Sequence, residues 1–281
     1  MSIQDRNKRE LPRQLSFQSE YGSSRIMTEN NNTELFTARA AAYAKGRPSY
    51  AKALIDHLYR EEGFSERSVI ADIGSGTGIF SNLLLERGSI VYGVEPNADM
   101  REAAVKAFAG CSRFVQYDGT AAHTGLSDHS VDFVTVAQAF HWFDPAEFKA
   151  ECRRILRPGG KIFLIWNIRD EEDPVNRKWF AILRKYCPKF RGPNGGFRPE
   201  DGRIDAFFEG RYEYQAFDNP LVYDSEEKFV NRCLSGSYEL REDDDAYTVF
   251  VEALKEFFAE YAADGVLRAE NATTMYKGSV L

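Results

Sequence analysis

Between residues 69 and 95 the chain sets three glycines and two carboxylates at the ends of apolar runs, a combination suited to holding a polar ligand that carries a sugar. Val69-Ile70-Ala71-Asp72-Ile73 reads as a strand that closes on Gly74-Ser75-Gly76-Thr77-Gly78. Beyond it Ile79, Phe80, Leu83 and Leu84 fall on one helical face. Glycines let the backbone turn sharply and let a ligand come close, and the first turn of the following helix offers unpaired N–H groups. A second run, Ser89–Glu95, ends on a carboxylate about 20 residues past the loop, where it can accept both hydroxyl protons of a ribose. Alone, such a loop is only a tight connection between strand and helix. Strand, loop, helix and Glu95 in register point to a ligand.

The glycine spacing narrows the ligand. A dinucleotide site reads G-x-G-x-x-G/A. Here the order is Gly74-x-Gly76-x-Gly78, and Ile79 stands where the third small residue belongs. Asp72 would also set negative charge beside a pyrophosphate. A nicotinamide-dependent dehydrogenase therefore falls behind other readings.

The elements that must position these residues alternate between strand and helix periods. Helices are expected over 35–44 and 49–61, broken at Gly46-Arg47-Pro48 because proline disfavours helix in the residue before it. A helix is expected over Ala98–Phe108, and strands over Ser112–Gln116, Val131–Ala137 and Lys161–Trp166. Asp144-Pro145 combines a capping aspartate with proline at the first helical position; that helix should run to Leu156 and stop before Arg157-Pro158-Gly159-Gly160. Such alternation implies parallel strands joined by right-handed crossovers, an open doubly wound α/β sheet. Further on, helices are expected over Val175–Cys187, Ser225–Leu234 and Asp243–Tyr261, a loop over Arg191–Arg203, and strands over Arg211–Phe217 and Thr273–Leu281. Residues 1–33 read as a disordered tail. Residues 34–281 read as one domain, with a core over about 66–170 and lid and closing strands over about 171–281.

Composition sets limits. The chain has 281 residues, and 36 basic against 43 acidic side chains leave a net charge of −7. Nucleic-acid binders usually show a basic footprint, so this balance argues against one. No apolar run is long enough to span a membrane, and the N-terminus lacks the apolar stretch of a secretory leader. Cys111, Cys152, Cys187 and Cys233 are widely spaced, without zinc pairs, and read as buried free thiols. No metal site is expected; the acidic runs Glu242–Asp245 and Asp170–Asp173 read as helix starts. A cytoplasmic protein without membrane or nucleic-acid partners is the expectation.

The stretch Asp72-Ile73-Gly74-Ser75-Gly76-Thr77-Gly78 resembles the first motif of the class I S-adenosylmethionine-dependent methyltransferases. Four further stretches match in order: Glu95, Asp118-Gly119-Thr120-Ala121, Val134-Thr135-Val136-Ala137-Gln138-Ala139, and the turn Leu156-Arg157-Pro158-Gly159-Gly160. The resemblance implies a mostly parallel, seven-stranded Rossmann-like sheet, with helical lid elements at the N-terminus and after strand five, and S-adenosylmethionine as cofactor. In that pattern Asp72 orders the loop and the cationic methionine end, Gly74, Ser75 and Gly76 approach the cofactor, and Glu95 holds the ribose. Pro96 and Met100 flank the adenine, Asp118 with Gly119 and Thr120 lies on its amino side, and Ala137 and Gln138 lie under the methionine moiety. Tyr43-x-x-x-Arg47-Pro48-Ser49-Tyr50, Phe140-His141-Trp142-Phe143-Asp144 and Thr274-Met275-Tyr276-Lys277-Gly278 resemble the branch of the trans-aconitate methyltransferases, which act on small carboxylic acids.

Several roles stay open at this level. Tyr43 and Arg47 could close over the cofactor carboxylate; Arg47 could instead grip a substrate carboxylate or belong only to a helix-breaking turn. His141 could take a proton from an acceptor or pack beside Trp142 and Phe143. His57, His123 and His129 read as structural. Trp166, Trp179, Phe197, Tyr212 and Tyr214 could line an acceptor pocket, with core packing the simpler reading. The leading expectation is methyl transfer to a small molecule, possible rivals being a macromolecular acceptor and a non-catalytic cofactor-binding module. The macromolecular reading lacks the Asn/Asp-Pro-Pro-Tyr/Phe signature of amino methyltransferases, since Ala137-Gln138-Ala139-Phe140 stands in its place.

Overall fold

The computed structural model describes residues 49–190, 192, 201–234, 240 and 244–280. The expected tail, the helix expected over 35–44, Tyr43, Arg47 and Phe197 lie outside the described residues.

Helix α1 (Lys52–Arg60) leads into an alternating core: β1 (Val69–Ile73), α2 (Ile79–Leu85), β2 (Ile90–Val94), α3 (Ala98–Ala107), β3 (Phe114–Tyr117), β4 (Val131–Ala137), α4 (Pro145–Ile155) and β5 (Leu156–Arg169). Capping sets where the helices begin. The Asn97 side chain accepts from the Met100 amide at the start of α3, and Asp144 accepts from Ala146 and Glu147 at the start of α4. Asp173 caps α5 (Pro174–Tyr186) in the same way, again with proline in the first turn. The chain continues through α6 (Arg203–Phe208), β6 (Tyr212–Asp218), β7 (Leu221–Tyr223), α7 (Glu226–Leu234), α8 (Tyr247–Tyr261), β8 (Leu267–Ala269) and β9 (Asn271–Gly278).

Seven strands form one sheet in the order β3-β2-β1-β4-β5-β9-β6, and β7 pairs with β8 in a separate ribbon. Strands β3, β2, β1, β4 and β5 run parallel, while β9 runs against both β5 and β6. This is the expected mostly parallel doubly wound sheet. Alternate residues of a strand serve opposite faces. Ile162, Leu164 and Trp166 of β5 join α4 and α6 in one cluster, and Phe163 and Ile165 join α1 and α2 in another. A third apolar cluster, from α5, α7, α8, β7 and β8, is built around Trp179, Phe229, Phe250 and Phe257.

Boundaries moved in several places. Strand β5 begins at Leu156 and reaches Arg169, longer at both ends than Lys161–Trp166. Its partner β4 advances from Val131 to Phe133 while β5 advances from Leu156 to Lys161, so Arg157-Pro158-Gly159-Gly160 is a bulge inside a strand. Gly159 serves it with φ of +82°. Helix α6 and the β7–β8 ribbon were not expected, α8 starts at Tyr247, and β9 spans Asn271–Gly278. Cys152, Cys187 and Cys233 are buried thiols as expected, whereas Cys111 is exposed, because it follows the turn that ends α3 instead of lying on a core-facing element.

Candidate functional site

Parallel register brings the expected residues together. Ile73 pairs with Val94 and Val94 with Tyr117; Ala137 pairs with Ile165. The residues that follow these strand ends, Gly74, Glu95, Asp118 and Gln138, therefore share the carboxyl edge of the sheet, where open α/β sheets bind ligands.

The glycine loop is held from beneath. The Gly74 and Ser75 amides both donate to the Val94 carbonyl, at 2.8 and 3.1 Å, and the Gly78 amide closes a turn onto the Ser75 carbonyl. Gly74, Gly76 and Gly78 all have positive φ, a region where side chains carry strain. Their surroundings differ. A Cβ on Gly74 would lie 2.5 Å from the Ala139 methyl, whereas one on Gly76 would face open space among the described residues. Gly74 thus seats the loop on the turn after β4, and Gly76 leaves its outer face clear. Among the described residues, the Ser75 and Thr77 hydroxyls are buried without a hydrogen-bond partner. Buried polar atoms are seldom left so, and a polar ligand laid along the loop is what these residues fit.

The two carboxylates have distinct settings. Asp72 is 1% exposed and accepts from the Ser81 hydroxyl at 2.6 Å and the Thr135 hydroxyl at 3.0 Å. Burial drives its pKa up to about 6; the Ser81 and Thr135 hydrogen bonds oppose that rise and the nearby Glu95 charge adds to it. Glu95 reaches back across the loop. One of its oxygens accepts the Gly76 amide and the other the Asn97 amide, both at 2.9 Å. Burial raises its pKa too, against those amide bonds and the Arg101 charge. Each oxygen retains a lone pair beyond the amide it accepts, so the carboxylate can take two hydroxyl donors while staying fixed to the loop.

Around this centre the remaining predicted residues divide. Met100 is buried behind Asn97, and Pro96 is exposed. Asp118 lies at the surface in a two-pronged pair with Arg101, whose guanidinium also donates to the Glu95 and Pro96 carbonyls. Gly119 and Thr120 form a turn in which the Thr120 amide donates to the His123 carbonyl, and a Cβ on Gly119 would strike the Thr124 carbonyl. Ala137 ends β4, and Gln138 holds φ of +62° while its amide donates to the Ile165 carbonyl. A non-glycine residue in that region marks a position over-determined by its surroundings. His141 sits on a single 3₁₀ turn, Phe140–Trp142, half-buried with its ring 4.7 Å from that of Trp142. The other histidines are tied into the frame: His57 to Glu62 and His129 to the Leu156 carbonyl through side-chain nitrogens, His123 through its backbone. Trp166 and Trp179 are core residues.

Sequence reasoning missed the residues that hold the site residues. Ser81 and Thr135 orient Asp72, and Arg101 orients Asp118. The pairing of Asp72 with Thr135 across β1 and β4 offered a signal once the strands were assigned in parallel; Arg101 offered none.

Residues 71–164 match the family described as a methyltransferase domain. An uncharacterized methyltransferase of Mycobacterium tuberculosis is 43% identical over 136 residues, covering 48% of this chain and 53% of that protein. Another, from Geobacillus thermodenitrificans, is 37% identical over 161 residues, covering 50% of this chain and 73% of that protein. The chain spans about half the length of the mycobacterial relatives. A solved protein of Anabaena variabilis, assigned as a methyltransferase of an antibiotic biosynthesis pathway, shares the fold with a TM-score of 0.59 at 23% identity, covering 81% of this chain and 97% of that one. With the glycine loop, the opposing Glu95 and this sheet order, the match places the chain among the class I S-adenosylmethionine-dependent methyltransferases, the family to which it belongs.

Proposed function

We propose that the chain transfers a methyl group from S-adenosylmethionine to a small-molecule acceptor, with a carboxylic acid as the favoured class. The observation that carries the cofactor half is the loop itself, where, among the described residues, two buried hydroxyls lack partners, Gly76 has an open face, and Glu95 is fixed across the loop by the Gly76 amide. When bound, S-adenosylmethionine supplies a methyl carbon made electrophilic by its sulfonium. The protein's own work is binding and alignment, which can contribute several orders of magnitude in rate.

Glu95 would take the ribose hydroxyls, and Ser75 and Thr77 would give the polar edge of the cofactor hydrogen-bond partners. Asp72 would act mainly through the loop, because Ser81 and Thr135 occupy its two oxygens, while its charge favours a cationic methionine end. Met100 and Pro96 would flank the base, and Asp118, steadied by Arg101, would accept from its amino group. Ala137 and Gln138 would floor the methionine end, with Tyr43 and Arg47 closing from the N-terminal side. A carboxylate acceptor is already ionised and attacks with its own lone pair, so it needs no base. His141 would then border the acceptor without moving a proton.

The acceptor class is supported by the acidic balance of the chain, which disfavours nucleic acid, and by the branch resemblance at Tyr43–Tyr50 and Phe140–Asp144. Among the described residues no helix is long and apolar enough to cross a membrane. Four unpaired thiols suit the reducing cytoplasm we assign to it.

Calorimetric titration with S-adenosylhomocysteine tests the reading. Saturable binding is expected, weakened about 100-fold in Glu95→Ala because two charge-assisted contacts are lost. A folded wild-type protein that does not bind would overturn it. Binding that survives Glu95→Ala undiminished would move the ribose elsewhere. Once cofactor binding is in hand, a screen of small carboxylic acids for methyl acceptance tests the acceptor half.

A further inference from the structure

The short helix α6 belongs to the segment after β5, yet its first side chain reaches the cofactor side of the molecule. Arg203 donates through Nη1 to the His141 carbonyl at 3.0 Å and through Nη2 to the Phe143 carbonyl at 2.8 Å. Its guanidinium carbon also lies 5.8 Å from the Phe140 ring centroid. Three contacts within residues 140–143 come from one side chain at least 60 positions away in sequence.

Both partners of this clamp are held in place. Helix α6 buries Ile204, Phe207 and Phe208, with Phe207 stacked on Phe148 of α4 at 5.3 Å and edge-on to Phe140 at 5.1 Å. Just past the helix, Glu209 pairs with Lys149 of α4 at 2.7 Å. Arg203 therefore extends from a fixed base, and little side-chain freedom is lost in making its bonds. On the other side, the clamped turn bears on the glycine loop: the Ala139 methyl and the Phe143 ring are the atoms that a Cβ on Gly74 would meet, at 2.5 and 3.3 Å. The same turn carries His141 and Trp142.

We propose that Arg203 is a positioning residue for the cofactor loop, its planar fork holding the turn 139–143 against Gly74 and so setting the segment after β5 in register with the methionine end of the cofactor site. The inference rests on the methyltransferase reading for its ligand, but the clamp itself is testable without one. Of the three tryptophans, Trp166 and Trp179 are fully buried and Trp142 alone is partly exposed, so acrylamide quenching of fluorescence reports on the turn.

Arg203→Met keeps the apolar stem and removes the donors; Arg203→Lys keeps the charge and removes the fork. In Arg203→Met, quenching should rise about twofold as the turn opens locally. Its affinity for S-adenosylhomocysteine should fall about tenfold with the loss of charged hydrogen bonds, and thermal unfolding should remain cooperative. Arg203→Lys should fall between this variant and wild type, because an ammonium is a point charge that does not reproduce a two-pronged grip. A folded Arg203→Met with wild-type quenching and affinity would overturn the proposal. Should Arg203→Met not fold, Arg203→Lys decides, and wild-type values in it would overturn the role of the fork. If the wild-type protein does not bind S-adenosylhomocysteine, the methyltransferase reading fails while the quenching comparison still decides the clamp.

Discussion

Asp72 and Glu95 are two buried carboxylates within electrostatic reach of each other, and among the described residues neither has a cationic side chain hydrogen-bonded to it. Such a pair is costly in the folded protein without a ligand. For Asp72 the consequence can be read as pH dependence. Its folded pKa, about 6, lies above that of an ordinary aspartate, so the folded state holds the proton over a window in which the unfolded chain has released it. Stability should therefore fall as pH rises from about 4 to 6 and level off above, with a contribution of at most about 3 kcal/mol from this group. Asp72→Asn should remove that part of the slope and leave the smaller part due to Glu95, whose pKa is also raised by burial. Denaturant melts of both proteins at pH 4, 5, 6 and 7 measure the difference; parallel curves would show that Asp72 does not titrate there. At this scale much of the site was legible, because a glycine loop between a strand and a helix, and an acid at the next strand end, form a local pattern. Arg101, Ser81 and Arg203 were not, since each is recognised only by what it touches in space.

At the level of elements, the far end of the sheet is secured by a different carboxylate. Glu62, just past α1, is buried and accepts from Lys277 of β9 at 2.9 Å and Lys161 of β5 at 3.2 Å, with the His57 ring at 3.1 Å. Burial raises its pKa, but the two lysines outweigh burial and hold the carboxyl below its usual range. The sign is opposite to that of Asp72. The stabilisation is fully present above the ordinary glutamate pKa and is lost as pH falls through the lower folded value. Glu62→Gln should cost about 2 kcal/mol at pH 7, less than for a fully buried pair because Lys161 is partly exposed. The gap should narrow in acid. Thermal melts at pH 7 and pH 3.5 check it, and an equal gap at both would assign the loss to packing. Element boundaries were legible where capping speaks clearly, as at Asp144-Pro145 and Asp173-Pro174. They were misread where glycine and proline marked a bulge within a strand: the run Arg157–Gly160 looks like a stop, and only pairing with β4 shows that β5 continues through it. The β7–β8 ribbon has three residues per strand, too short for alternation to register.

Across the whole molecule, the apolar interior is divided. Two clusters sandwich the main sheet, and a third is closed by α5, α7, α8 and the β7–β8 ribbon. One of its ties to the sheet is Arg169, the last residue of β5, whose guanidinium lies 4.1 Å from the Trp179 ring centroid. Cation–π contact there joins the end of a central strand to the third cluster. If that cluster opens separately from the sheet, as a lid must, the two should respond differently to ligand and to mutation. Phe229 is fully buried and stacks on Phe257 at 5.4 Å. Phe229→Ala should cost the third cluster about 3–4 kcal/mol while leaving S-adenosylhomocysteine affinity within about threefold, because every described residue assigned to the cofactor lies outside it. Hydrogen exchange separates the cases. In the wild-type protein, S-adenosylhomocysteine should slow exchange over residues 73–81, 95–101 and 137–143 with smaller changes in α7 and α8. Phe229→Ala should speed exchange in α7 and α8 and leave β1, β2 and β4 protected. Loss of protection across the central strands in that variant would show one cooperative unit, and closure over the acceptor would then have to come from elsewhere in the chain.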